Sequence, residues 1–112
     1  MRIAFPTNGK SLKAEIWFHF GRAKNYLIYN TETKKFKIYK NPEVFGKKEL
    51  PPDFLNRLKA DVVIAHVLGA KAFDRFKKFG IKVYKAINKS IKENIKQFQA
   101  GKLKELGKED IF

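Results

Sequence analysis

The sequence predicts a single α/β domain, in which a mixed five-stranded sheet with an N-terminal β-hairpin element carries about three helices. Residues 25–40 contain two β-forming runs joined by a short polar turn, which is the pattern of an antiparallel hairpin. Residues 61–85 contain an apolar run, a helical stretch and another β-forming run, which is the pattern of a parallel β-α-β unit. The length of 112 residues suits one compact domain.

The N-terminal part of the chain is predicted to supply three strands. Arg2–Pro6 is a short apolar run typical of a buried strand, and Asn8 and Gly9 mark the turn into a long loop. Asn25–Asn30 is rich in β-forming residues, and Lys35–Lys40 alternates strictly between its two faces. These two runs therefore form the hairpin.

The rest of the chain is predicted to alternate helices with strands. Pro51 and the residues after it begin a helix, because proline is tolerated in the first helical turn. Asp61–Val67 is an almost uninterrupted apolar run, which predicts a central strand covered on both faces. The helix Ala70–Phe79, the strand Ile81–Lys85 and the helix Ser90–Ala100 follow.

The composition restricts the possible partners and metal sites. Hydrophobic residues make up 44% of the chain, enough to build a core, and residues 1–103 are predicted to form the domain with 104–112 as a polar tail. Cysteine is absent, so a metal must be held by histidine, carboxylate, backbone or water, or must arrive with its own sulfur. We expect a cytoplasmic protein with no membrane association, and the composition suits a thermophile.

The net charge of +14 is spread over the whole chain rather than concentrated in a tail. Such a field attracts anions in general, including nucleic acid, anionic clusters and acidic proteins. A solvated lysine surface without a specific partner explains the same composition. No nucleophile elbow, phosphate-binding loop or dinucleotide fingerprint occurs, so we expect that the protein is not an enzyme.

The two histidines are the candidate ligands. His66 lies near the carboxyl end of the predicted central strand, where ligands of open α/β sheets bind, and Gly69 and Lys71 lie where an anion could dock on the next helix. His19 lies between two phenylalanines, just before Gly21 and Arg22. The residues alone leave simpler alternatives open: a buried neutral His66, a loop His19 packed by aromatic rings, a Gly69 needed only for the turn, and a surface Arg22.

Two motifs carry a family resemblance. The more specific is His-Phe-Gly-Arg-Ala at 19–23, and the second is Gly-x-Lys-Ala-Phe at 69–73. Together with the opening MRIAFPTNG and the closing SIKENIKQFQAGKL, they resemble the dinitrogenase iron–molybdenum cofactor biosynthesis family from Met1 to about Leu103.

The resemblance implies a ribonuclease H-like fold and a non-catalytic carrier of an iron–molybdenum cofactor or iron–sulfur cluster, working with a cluster-assembly or acceptor protein. It implies that His19 is a metal ligand. His66 is a possible second ligand because of its position at the end of the central strand, where the sequence departs from the family pattern. The other residues expected around the cofactor are Phe20, Gly21, Arg22, Gly69 and Lys71. The alternative function is a nucleic-acid-binding module that uses the diffuse basic surface.

Overall fold

The computed structural model describes residues 1–112 and contains five strands, three α-helices and two short 3₁₀ helices. The strands are β1 (Arg2–Thr7), β2 (Asn25–Asn30), β3 (Lys35–Lys40), β4 (Val62–Ala65) and β5 (Lys82–Lys85). The helices are α1 (Pro51–Arg57), α2 (Ala70–Lys78) and α3 (Ile91–Gln99), with 3₁₀ turns at Phe20–Arg22 and Lys108–Asp110. The predicted fold class is confirmed, whereas its ribonuclease H-like character stays a prediction. No helix has the length and apolar character needed to cross a membrane.

The five strands form one mixed sheet in the order β3-β2-β1-β4-β5. The hairpin strands pair antiparallel with each other, and β2 pairs antiparallel with β1. The strand β4 runs parallel to both β1 and β5. The strand β1 therefore lies between the hairpin and the β-α-β unit. Because β1, β4 and β5 are parallel, their carboxyl ends lie at one edge of the sheet.

Helices cover both faces of the sheet. On one face, α1 and α2 contribute Leu55 and Phe76 to a cluster that also contains Val63. On the other face, α3 contributes Ile91 and Ile95 to a second cluster. Successive β4 residues belong alternately to the two clusters, because side chains alternate across a strand. This position explains the uninterrupted apolar run in the sequence.

The strand β4 is shorter than its apolar run predicts. It ends at Ala65, and the next residues leave the regular ladder. Val67 forms an isolated bridge with His19, and Leu68 forms one with Ile111. The predicted strand Asp61–Val67 is therefore too long at both ends, and apolar burial continues past β4, since Leu68 is fully buried outside the regular sheet.

Residues 104–112, called the C-terminal segment below, pack against the domain although their composition suggests a polar tail. Leu106 is buried, and its amide donates to the Val83 carbonyl over 3.0 Å. Lys85 Nζ donates to Asp110 Oδ1 over 2.9 Å, which ties the segment to the end of β5. Scattered contacts of this kind leave no periodic pattern in the sequence, so the sequence alone does not predict that the segment packs against the domain.

Candidate functional site

His19 is held at the carboxyl edge of the sheet by the loop that follows β1. The Trp17 amide donates to the Pro6 carbonyl over 2.7 Å, and His19 then pairs with Val67 beyond the end of β4. The 3₁₀ turn begins immediately after His19, and the Arg22 amide closes it by donating to the His19 carbonyl over 3.1 Å. The imidazole therefore lies exposed at the strand ends, where ligands bind in open α/β folds.

Phe20 anchors this turn in the core. Its side chain is only 2% exposed, and its ring lies 5.1 Å from that of Tyr26 and 5.4 Å from that of Phe76. The apolar contacts fix the residue after His19 while the imidazole stays in contact with solvent. The resemblance places Phe20 beside the cofactor. In the structure, its ring packs into the core and supports the turn, and the residue also lines the cavity.

The first turn of α2 lies on the other side of the same cavity. Gly69 is the residue before the helix, and Lys71 and Ala72 are in its first turn. A Cβ atom added at Gly21 would meet no atom within 4 Å, so the backbone of the 3₁₀ turn is open to a ligand. Backbone amides at a helix N-terminus and unhindered glycine backbone both suit an anion.

A cavity of about 560 Å³ lies between these two elements. It is lined by His19, Phe20, Gly21, Arg22, Glu43, Leu50, Pro51, Pro52, Gly69, Lys71, Ala72, Arg75 and Phe112. All six residues expected around the cofactor are in this lining, although they come from two segments that are about fifty positions apart. The structure thus brings both sequence motifs to one cavity.

The electrostatics of the cavity favour an anionic ligand. Arg22 and Lys71 are exposed and form no ion pair. Arg75 is engaged with Asp53, to which its Nη2 donates over 2.8 and 2.9 Å. Glu43 is the one acidic side chain in the lining, so the two unpaired cations outnumber it. Positive side chains beside a helix N-terminus attract negative charge.

The second candidate ligand, His66, does not line this cavity. The Phe18 ring stacks on the His66 ring with centroids 5.9 Å apart and meets the His19 ring edge-on at 5.1 Å. Burial, with a smaller effect from the nearby Lys85 charge, lowers the pKa of His66 and favours its neutral form. The rings of both histidines therefore contact Phe18, but the two histidines do not line the same cavity.

The protein has no group of three or more histidine, cysteine or carboxylate side chains able to enclose a metal ion. One exposed imidazole suits a metal centre whose other ligands arrive with it. Several lining residues have no signal in the sequence. Phe112 reaches the cavity through the C-terminal segment, and Glu43 and Leu50 reach it from the irregular connection between β3 and α1.

Comparison with known proteins gives this geometry a family context. The protein is 34% identical over 109 residues to an uncharacterized protein of Methanocaldococcus jannaschii, a match that covers 92% of this chain and 89% of that one. The NMR structure of a candidate NifB protein from Thermotoga is similar with a TM-score of 0.79 and 30% identity, covering 94% of this chain and 92% of that chain. The apo orange protein from Desulfovibrio gigas has a TM-score of 0.85 at 22% identity, covering 95% and 92%, and shows likeness of fold alone.

A model of the family described as dinitrogenase iron-molybdenum cofactor matches residues 1–101. The match includes both motifs and every element from β1 to α3. It ends before the C-terminal segment, so Phe112 is outside the matched part. The protein therefore belongs to the dinitrogenase iron–molybdenum cofactor family.

Proposed function

We propose that this protein is a non-catalytic carrier of a preassembled anionic metal–sulfur cluster, either an iron–molybdenum cofactor or an iron–sulfur cluster. It would hold the cluster during assembly or pass it to an acceptor protein. The observation that supports this proposal is the convergence of exposed His19 with the unpaired cations Arg22 and Lys71 on one cavity. The family membership supports a role connected with such a cofactor.

The donor set favours a cluster over a bare metal ion. The chain has no cysteine, and the cavity contains one histidine and one carboxylate. Stable protein sites for single transition-metal ions use several side chains. A cluster carries its own sulfide ligands, so a single imidazole can attach it while Arg22 and Lys71 oppose its negative charge.

The lining also favours binding over catalysis. Its reactive groups are His19, Glu43 and three cations, and Arg75 among the cations is already committed to Asp53. A hydroxyl or thiol nucleophile activated by a neighbouring base would come from a serine, threonine or cysteine, and none lines the cavity. Loose attachment through one side chain suits a protein that must later release its cargo.

Anaerobic titration with iron and sulfide tests the proposal, with isolated iron–molybdenum cofactor as a second probe. Absorbance and bound metal are measured for the wild-type protein, His19→Ala and His66→Ala. We expect stoichiometric uptake that His19→Ala abolishes. A smaller loss in His66→Ala would support the second-ligand prediction, and no loss would remove it. Equal uptake by His19→Ala and wild type would contradict the proposal.

The nucleic-acid alternative makes different predictions for the same proteins. Binding of a labelled DNA duplex would weaken steeply as salt is raised, because phosphate contacts release counterions. It would also be indifferent to His19→Ala. If both results are obtained and neither cluster probe is taken up, the basic surface rather than the cavity is the functional site.

A further inference from the structure

A buried asparagine lies directly behind the 3₁₀ turn that carries the candidate site. Asn41 is fully buried, just after the end of β3. Its Nδ2 lies 3.0 Å from the carbonyl of Gly21, 2.8 Å from that of Ala23 and 3.2 Å from Tyr26 Oη. Its Oδ1 accepts from the Glu43 amide over 3.0 Å. Every polar group of this side chain is therefore engaged with backbone or side-chain partners around the turn.

Tyr26 completes the network from β2. The residue is fully buried, and its hydroxyl donates to the Phe20 carbonyl over 2.8 Å. Burial, with a smaller effect from the Glu43 charge, raises the pKa of Tyr26 well above its ordinary value. The phenol therefore keeps its proton and remains a donor. Together the two side chains bind the carbonyls of Phe20, Gly21 and Ala23.

These hydrogen bonds fix the direction of the peptide dipoles in the turn. The oxygen of a peptide carries partial negative charge, and an oxygen bonded to a fully buried group points away from solvent. With three carbonyls turned inward, the negative ends of their dipoles face the interior. Preorganised dipoles of this kind are effective because they do not have to reorient when a charged ligand arrives.

We propose that Asn41 and Tyr26 are positioning residues for the cavity, which hold the carbonyls of Phe20, Gly21 and Ala23 inward so that an anionic ligand meets the positive side of the turn. This inference rests on the proposed function, because it assumes an anionic ligand. Neither residue lines the cavity, so both act through the turn and not by contact with the ligand.

Two nearly isosteric variants remove the donors, and one variant controls for stability. Asn41→Asp keeps the shape but places a carboxylate oxygen where the amide donates to Gly21 and Ala23. Tyr26→Phe removes only the hydroxyl. Ile95→Val removes one buried methylene on α3, in the core cluster on the opposite face of the sheet. All measurements are made where circular dichroism shows each variant to be folded.

The first measurement needs no ligand. Hydrogen exchange is followed by NMR at the Arg22 amide, which donates within the turn, and at the Asn94 amide in α3. We expect exchange at Arg22 to become about tenfold faster in both site variants, since leaving a buried carbonyl without its donor costs about that factor. Ile95→Val should not change Arg22 selectively. Unchanged exchange at Arg22 in Asn41→Asp and Tyr26→Phe would overturn the inference.

The second measurement is the anaerobic titration with iron and sulfide. We expect about tenfold weaker cluster binding and an altered absorbance spectrum in the two site variants, with wild-type behaviour in Ile95→Val. Equal binding by all variants would refute the positioning role and leave the proposed function intact. If the wild-type protein takes up no cluster, the proposed function fails, and the exchange rates still decide whether Asn41 and Tyr26 hold the turn.

Discussion

The Ala70 amide donates a 2.7 Å hydrogen bond to the Phe112 carbonyl, which joins the first residue of α2 to the C-terminal segment. The Phe112 amide donates in turn to the Leu68 carbonyl over 3.1 Å. The Phe112 ring is 73% exposed, and its centroid lies 6.5 Å from that of the His19 ring. The C-terminal segment therefore forms one wall of the candidate site, outside the part matched by the family model.

Attachment of the C-terminal segment should depend on pH through Asp110. The hydrogen bond from Lys85 is the main reason that the pKa of Asp110 is lowered in the folded protein. Because the folded-state pKa is below the unfolded one, this contact stabilises the fold above about pH 4 and is lost as the pH falls through the folded-state pKa. We expect the NMR signals of Phe112 and the Ala70 amide to shift in acid. Lys85→Met should raise the pH midpoint of this shift, because the interaction that lowers the Asp110 pKa is gone; the same acid midpoint in that variant would contradict the assignment.

The two phenylalanines that flank His19 should differ in how strongly their substitution lowers the stability of the fold. Phe20 is buried, so Phe20→Ala should lower the free energy of unfolding by about 3–5 kcal/mol. Phe18 is 53% exposed, so Phe18→Ala should cost less than about 1 kcal/mol. Urea unfolding of both variants makes the comparison. Similar losses would mean that Phe18 is packed more tightly than its exposure indicates.

His66 should make the stability of the protein pH-dependent near neutrality. Its pKa is lowered by burial and then by Lys85, so the unfolded chain binds a proton more readily than the fold. Stability should therefore fall as the pH drops through about 6.5 and level off below the folded-state pKa. Urea unfolding from pH 8 to pH 5 measures this slope, which His66→Gln should reduce. If the stability of His66→Gln changes with pH as steeply as that of the wild type, other titratable groups cause the pH dependence.

The unpaired cations of the cavity should contribute to affinity individually, and a third lysine provides the control. Arg22→Gln and Lys71→Gln should each weaken cluster binding by about tenfold, since each loses a charged hydrogen-bond donor. Lys77 is exposed on α2 but does not line the cavity, so Lys77→Gln should bind as wild type. Titrations at low and high potassium chloride measure both effects. Equal losses in all three variants would indicate that only the diffuse net charge matters.

Local sequence patterns were sufficient to predict the hairpin and the β-α-β unit. The β-forming runs Asn25–Asn30 and Lys35–Lys40 have the bounds of β2 and β3, because strict alternation and a short polar turn are local properties. The limits of β4 could not be predicted in this way. Val67 is as apolar as the residues within the strand, and only its isolated pairing with His19 shows that the regular sheet has ended.

The sequence by itself determined the order of the elements, their buried faces and, through the two motifs, the family. Only the tertiary structure decided that the residues of both motifs share one cavity, that His66 lies outside its lining, and that Phe112 forms part of its wall. The physical reason is that the spacing of apolar residues in a segment depends on which of its faces packs against the nearest apolar surface. The contacts among His19, Val67, Ala70 and Phe112 are single backbone pairings between distant segments, and such pairings place no constraint on side-chain pattern.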